Sequence, residues 1–183
     1  MSTYSTQNSL LLNNLMKFYN KDNNIDKMLR IINGESNISL RLVDWFATNY
    51  SKKYYTVYSL PDKRRFKVYV DYKLKLRAYS KKRFDPFCRW DRINVPYKEN
   101  KSIQTTIGQL NFFKWALENQ LITYIEHNYI AIEKDMNNRN STAKRKPAIS
   151  SPSQKTRKKR EELSLSASKS ILKENVEIIV KFD

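Results

Sequence analysis

The side chains in this sequence best suited to chemistry are cations. Lys63, Arg64, Arg65, Lys67, Lys73, Lys75, Arg77, Lys81, Lys82 and Arg83 fall within residues 63–84, a stretch holding a single acid, Asp71. Tyr69 and Tyr79 lie among them, and Arg89 and Arg92 follow. Lys and Arg at this density neutralise phosphates, and tyrosines between them can stack on unpaired bases, so the chemistry indicated is non-covalent binding of nucleic acid. A second basic group comprises Lys144, Arg145 and Lys146, then Lys155, Arg157, Lys158, Lys159 and Arg160 beyond Pro147 and Pro152. Two clusters at this spacing fit a bipartite nuclear-localisation pattern and equally an arm lying along phosphates. Ser151-Pro152 between them would, if phosphorylated, subtract about two charges.

The charge is not spread evenly. The chain carries 35 Lys and Arg against 18 Asp and Glu, a formal +17. Residues 51–100 hold 15 cations to 5 acids and residues 137–183 hold 12 to 5, whereas 1–50 and 101–136 are near balance. Two separate basic blocks can hold two parts of one polyanion.

Covalent chemistry has thinner support. Pro61-Asp62, then Asp71-Tyr72-Lys73, resembles the PD-(D/E)xK nuclease pattern, in which two acids hold Mg²⁺ and a lysine orients water. On an extended strand Asp71 and Lys73 share one face, as that chemistry requires; Asp62 sits in a turn, and no earlier helix offers a third acid. One Cys (Cys88) and one His (His127) exclude a disulfide framework or a Cys/His zinc site within one copy, and no cofactor or metal is expected. His127 reads as a helix-surface residue and Cys88 as packed. Two glycines, Gly34 and Gly108, are too few for the phosphate loops of nucleotide-binding enzymes. No signal segment and no run of about 20 apolar residues is evident, which predicts a soluble intracellular protein without membrane insertion.

The elements that must position these cations follow from apolar spacing. Residues 6–33 read as a helical hairpin bent at 21–24, with Gly34 as its stop, and a third helix starts at Ser39 and buries Leu42, Val43, Phe46, Ala47 and Tyr50. The period then falls to 2: Tyr54 to Tyr58 is β-rich, Leu60 to Lys63 is a turn, and Phe66, Val68, Val70, Tyr72, Leu74, Leu76 and Ala78 alternate with polar residues. This predicts strand over 65–71, with 72–82 either its bent continuation or a helix capped by Asp71. On the strand, Lys67, Tyr69, Lys73, Lys75, Arg77 and Tyr79 share an outward face, with cations at about 7 Å steps.

Phe84 to Thr105 reads as loop. Thr106-Ile107-Gly108-Gln109 fits a capping box opening a helix, broken at 118–120 before a second helical run to Ile132. Phe112, Phe113 and Trp115 mark this 106–132 segment as core scaffold rather than a recognition helix. Residues 137–168 lack aromatics and any period, and read as a flexible basic linker. Val176, Ile178, Val180 and Phe182 alternate as a terminal strand. The predicted fold class is α+β: a small antiparallel sheet of hairpin 54–71 and C-terminal strand 176–182, packed with N-terminal helices and the 106–132 segment. The compact domain covers 1–136, and 169–183 returns to the sheet or pairs with a partner.

Three segments carry a family resemblance: LRLVDWFATNYSKK at 40–53, VYVDYKLKLRAYSKKRFDPFCR at 68–89, and TTIGQLNFFKWALEN at 105–119. Together they resemble a family of uncharacterised small basic proteins of nucleocytoplasmic large DNA viruses, over about residues 38–135, and the abundance of Asn and Lys suits an AT-rich genome. The resemblance implies a viral setting and carries over no catalytic residues; DYK and AYSKK look characteristic of that family, and the Pro-Asp does not.

The expected function is therefore non-enzymatic nucleic-acid binding, with DNA favoured, through the face from Lys63 to Arg92 aided by the arm from Lys144 to Arg160. The alternatives are a structural virion protein that meets its partners through the C-terminal strand, and a Mg²⁺ nuclease. The expected location is the virion or viral factory, or the host nucleus through 144–160.

Overall fold

A computed structural model of the chain describes residues 7–88, 92–97, 101–144 and 173–175. The N-terminal period resolves into helices α1 (Gln7–Tyr19) and α2 (Asn24–Ile32). Asp22 and Asn23 bend the chain between them with φ of 52° and 53°, and Asn24 Nδ2 donates to Phe18 O at 3.1 Å, satisfying a carbonyl near the end of α1. Gly34 follows α2 at φ 74° and returns its N–H to Ile31 O, so it is the predicted stop.

Ser39 caps α3 (Leu40–Trp45), its Oγ accepting from Leu42 N. The helix runs on as a π-helical turn (Phe46–Tyr50) and a last turn, α4 (Ser51–Lys53). Ser51 accounts for the π turn. Its N–H donates five residues back to Phe46 O, and its hydroxyl donates to Ala47 O at 2.8 Å, so the carbonyl that loses its α-helical partner is satisfied.

Strands β1 (Val57–Ser59) and β2 (Arg65–Lys67) form an antiparallel hairpin with Tyr58 opposite Phe66. The strand predicted to residue 71 stops at Lys67, and α5 (Val68–Phe84) begins at once. Two physical reasons favour helix. β1 offers only three residues to pair with, and Val68, Tyr72, Leu76 and Tyr79 form one helical stripe turned to the core, while Lys, Leu, Arg and Ala over 73–78 are strong helix formers. Ser80, at φ 67° and ψ 161°, kinks α5 near its end, and beyond the kink Phe84 is fully buried and stacks on Tyr79 with centroids 5.9 Å apart.

The stretch predicted as loop up to Thr105 contains a second hairpin, β3 (Arg92–Pro96) and β4 (Lys101–Thr106). Its apolar positions are sparse, but Val95 faces Ile103 across the ladder and both are buried. A short β5 (Lys173–Asn175) pairs antiparallel with β4. Lys173–Asn175 thus joins a sheet ordered β3-β4-β5, separate from the β1-β2 hairpin; the fold is α+β as expected, with two small antiparallel sheets, and the strand predicted over 176–182 lies outside the described residues.

Helix α6 (Ile107–Glu118) lies at the centre, with Leu110, Phe112, Phe113, Trp115 and Ala116 buried. Thr106 Oγ1 accepts from Gln109 N at 3.2 Å, the predicted cap, while Gln109 Oε1 accepts from the Thr105 hydroxyl at 2.9 Å. Gln120, at φ 55°, separates α6 from α7 (Leu121–His127), and α8 (Tyr129–Lys144) follows. The segment expected to be linker from 137 is helical as far as Lys144. Contacts outweigh composition here: Asp135 Oδ2 accepts from Trp45 Nε1 at 3.1 Å, and Arg139 lies 5.4 Å from the Trp45 ring and donates to Asn49 Oδ1. The remainder of the expected linker lies outside the described residues. Among the described residues no helix is long and apolar enough to cross a membrane.

Candidate nucleic-acid interface

The β1-β2 ladder sorts its side chains by face. Tyr58 and Phe66 turn inward, and the opposite pairs Val57–Lys67 and Ser59–Arg65 turn to solvent. Arg65 and Lys67 therefore stand side by side on the outer face, two residues apart. From Lys67 the chain passes directly into α5, whose exposed side carries Val70, Lys73, Leu74 and Arg77, with Lys81 and Lys82 exposed beyond the kink. The expected outward row is thus only partly right. Lys67 belongs to it, but Lys73 and Arg77 come to the surface as one turn of a helix, whereas Lys75 and Tyr79, on a different side of α5, are half-buried.

Helix packing adds a cation. Lys52 in α4 places its ammonium 5.7 Å from the ring centroid of Tyr69, which is one turn before Lys73. Lys52 therefore extends the basic surface across two elements. The turn Ser51-Lys52-Lys53 shows this basic pair in the sequence, but nothing in the sequence places it against Tyr69. Its neighbour Lys53 is committed elsewhere, to Asp135.

The other predicted cations separate. Lys63 is exposed in the hairpin turn at φ 63°, and Arg64 pairs with Asp62, whose carboxyl the Arg64 side chain holds below the usual carboxylate range. Lys81 lies 3.7 Å from Asp85, and Arg83 is half-buried with its carbonyl accepting from Asn111 Nδ2. Arg92 is exposed on β3, in the other sheet, and donates to Gln104 Oε1. Lys144 ends α8, while Arg89, Arg145, Lys146, Lys155, Arg157, Lys158, Lys159 and Arg160 lie outside the described residues.

Between hairpin and helix lies a groove of about 230 Å³. Leu60, Phe66, Val70 and Leu74 provide its apolar surface, and Arg64, Arg65 and Lys67 its cations. Asp71 also borders it, but is tied inward: Trp115 Nε1 donates to Asp71 Oδ1 at 2.6 Å.

That bond also bears on the nuclease pattern. Asp71 and Lys73 were expected to share a strand face, yet two residues along a helix are about 200° apart. Asp71 turns to Trp115 and Lys73 to solvent, so the helix separates the acid from the lysine that the chemistry needs together. His127 is exposed and Cys88 is half-buried and free. The 106–132 segment is core scaffold as predicted, with burial pushing the Tyr19 phenol that donates to Leu110 O well above its usual value.

The model of a family described as of unknown function, DUF7197, matches residues 3–183. An uncharacterised protein of Acanthamoeba polyphaga mimivirus is 44% identical over 135 residues, covering 69% of this chain and 52% of the relative. The chain therefore spans about half the length of that curated relative. These matches agree with the resemblance to uncharacterised giant-virus proteins. No solved structure matches.

Proposed function

The chain belongs to DUF7197, a family of unknown function, and we propose that it is a non-enzymatic nucleic-acid-binding protein. The observation that carries this reading is the continuity of exposed cations from one element to the next. Arg65 and Lys67 on the outer hairpin face lead into Lys73 and Arg77 on α5, and Lys52 joins from the neighbouring helix end. Such a surface neutralises phosphates and releases their counterions, with little base readout. The viral relative and the large-DNA-virus resemblance favour DNA and a setting in the viral factory or virion. The segment from Lys144 to Arg160 would add a second contact along the same strand.

The test is a salt series with the full chain and fluorescein-labelled DNA. Affinity is expected to fall with a log-log slope on the order of −0.9 for each phosphate contact, and Lys73→Ala with Arg77→Ala to flatten the slope by about that amount per cation. Binding that does not respond to salt would overturn the reading.

A further inference from the structure

Seven large apolar side chains are exposed among the described residues; three of them, Val57, Val70 and Leu74, stand among the cations above, and a fourth, Tyr55, lies on the segment that leads into β1. Tyr55 is 85% exposed at a left-handed φ of 50°, Val57 stands directly opposite Lys67, and Val70 and Leu74 are one turn apart on α5 at 48% and 55%. A surface that only gripped phosphates would gain nothing from them, since phosphates and sugars outside a duplex offer cations no apolar counterpart. Unpaired bases do, through flat apolar faces that a duplex keeps stacked inside.

We infer that this surface selects single-stranded over double-stranded nucleic acid, holding unstacked bases against Leu74, Val70 and Tyr55 while the interleaved cations hold the phosphates. The inference rests on the proposed nucleic-acid reading and adds the strandedness of the target. Charge favours this occupant over an apolar protein segment. Arg65 and Lys67 border the groove, and the exposed Lys73 and Arg77 lie beside the exposed Val70 and Leu74 along α5, so the surface suits a chain that carries both anions and apolar rings. Val68 N donates to Thr56 O and so brings the start of α5 against the segment bearing Tyr55. DNA and RNA single strands share this chemistry.

The test uses the full chain and four labelled probes of about 12 nucleotides, within the span of known single-strand sites: oligothymidylate, oligouridylate, an abasic strand with the same phosphates, and a duplex. The base-bearing strands are expected to bind about tenfold or more tighter than the abasic strand and the duplex. Leu74→Ser and Tyr55→Ala are expected to reduce that preference without changing abasic binding or the salt slope, since both side chains are exposed and their loss leaves the fold intact by circular dichroism. Lys73→Ala is expected to weaken all probes alike. Equal binding of base-bearing and abasic strands overturns the inference and leaves the phosphate reading standing, with the apolar side chains then assigned to a protein partner. A uniform loss in Leu74→Ser overturns it as well, and no binding of any probe at low salt overturns both readings.

Discussion

Trp115 and Asp71, 44 residues apart, are joined by a hydrogen bond of 2.6 Å from the indole Nε1 to Oδ1. The bond pins the first turn of α5 to the central helix α6, the surface-bearing element to the element that holds the core. Asp71→Ala leaves a nearly buried indole N–H without its acceptor and is expected to cost about 1–3 kcal/mol in urea unfolding. Asp71→Asn, which retains an oxygen acceptor, is expected to recover most of it. Neither is expected to weaken nucleic-acid binding, and a loss of DNA cleavage in either would instead restore Asp71 to a metal-binding role.

The helical setting of the basic segment separates neighbours that a strand would treat alike. Lys73→Ala and Lys52→Ala are expected to weaken DNA binding several-fold at low salt, and Lys75→Ala to leave it within about twofold. Equal losses for Lys73 and Lys75 in a binding titration would contradict the exposure of α5 described above.

Residues 68–79 show why legibility varied along the chain. Val68, Tyr72 and Leu76 satisfy periods of 2 and 3.6 at once, so their spacing alone fits both structures, and the deciding fact is the three-residue length of the partner strand, which is tertiary. Where one period stood alone, in α1, α2 and α3, sequence and structure agree, and Ser39, Thr106 and Gly34 mark boundaries by local chemistry. The β3-β4 hairpin was hidden because Val95 and Ile103 find each other only across the ladder. The cations were legible as a group, but the contact between Lys52 and Tyr69 requires two helices to pack.

Gly108 allows α6 to start against the end of α5. A Cβ there would stand 2.7 Å from Asp85 O and 3.2 Å from Lys82 O, both backbone atoms that cannot swing aside. Although Ala favours helix by about 1 kcal/mol, Gly108→Ala is expected to lower the urea midpoint, with a net loss on the order of 1–3 kcal/mol.

Ser80 gives the opposite sign. Its φ of 67° with ψ of 161° is a region that glycine occupies without strain, and its side chain is exposed. Ser80→Gly is expected to raise stability by about 1 kcal/mol, seen as a higher melting temperature. A lower one would show that the serine side chain holds the kink.

Asp135 links α8 to α3 and α4 and sets an acid limit. Burial pushes its carboxyl up, but hydrogen bonds from Lys53, Trp45 and Tyr54 outweigh this and hold it below the usual carboxylate value. Because the folded value is depressed, the associated stability is present above the ordinary carboxylate range and is lost as pH falls through the folded value. Melting temperature is expected to drop below about pH 4, and in Asp135→Asn to start lower at neutral pH but decline less toward acid.

The π-helical turn from Phe46 to Tyr50 also sets the aim of the basic surface that follows it. The turn carries one residue more than an α-helical count, and the Ser51 hydroxyl on Ala47 O satisfies the carbonyl this leaves over. Deleting Thr48 would restore ordinary helix and rotate everything after it by about 100°. Lys52 would then leave Tyr69, so the one extra residue of the π turn decides whether the cations of the two helices form one surface.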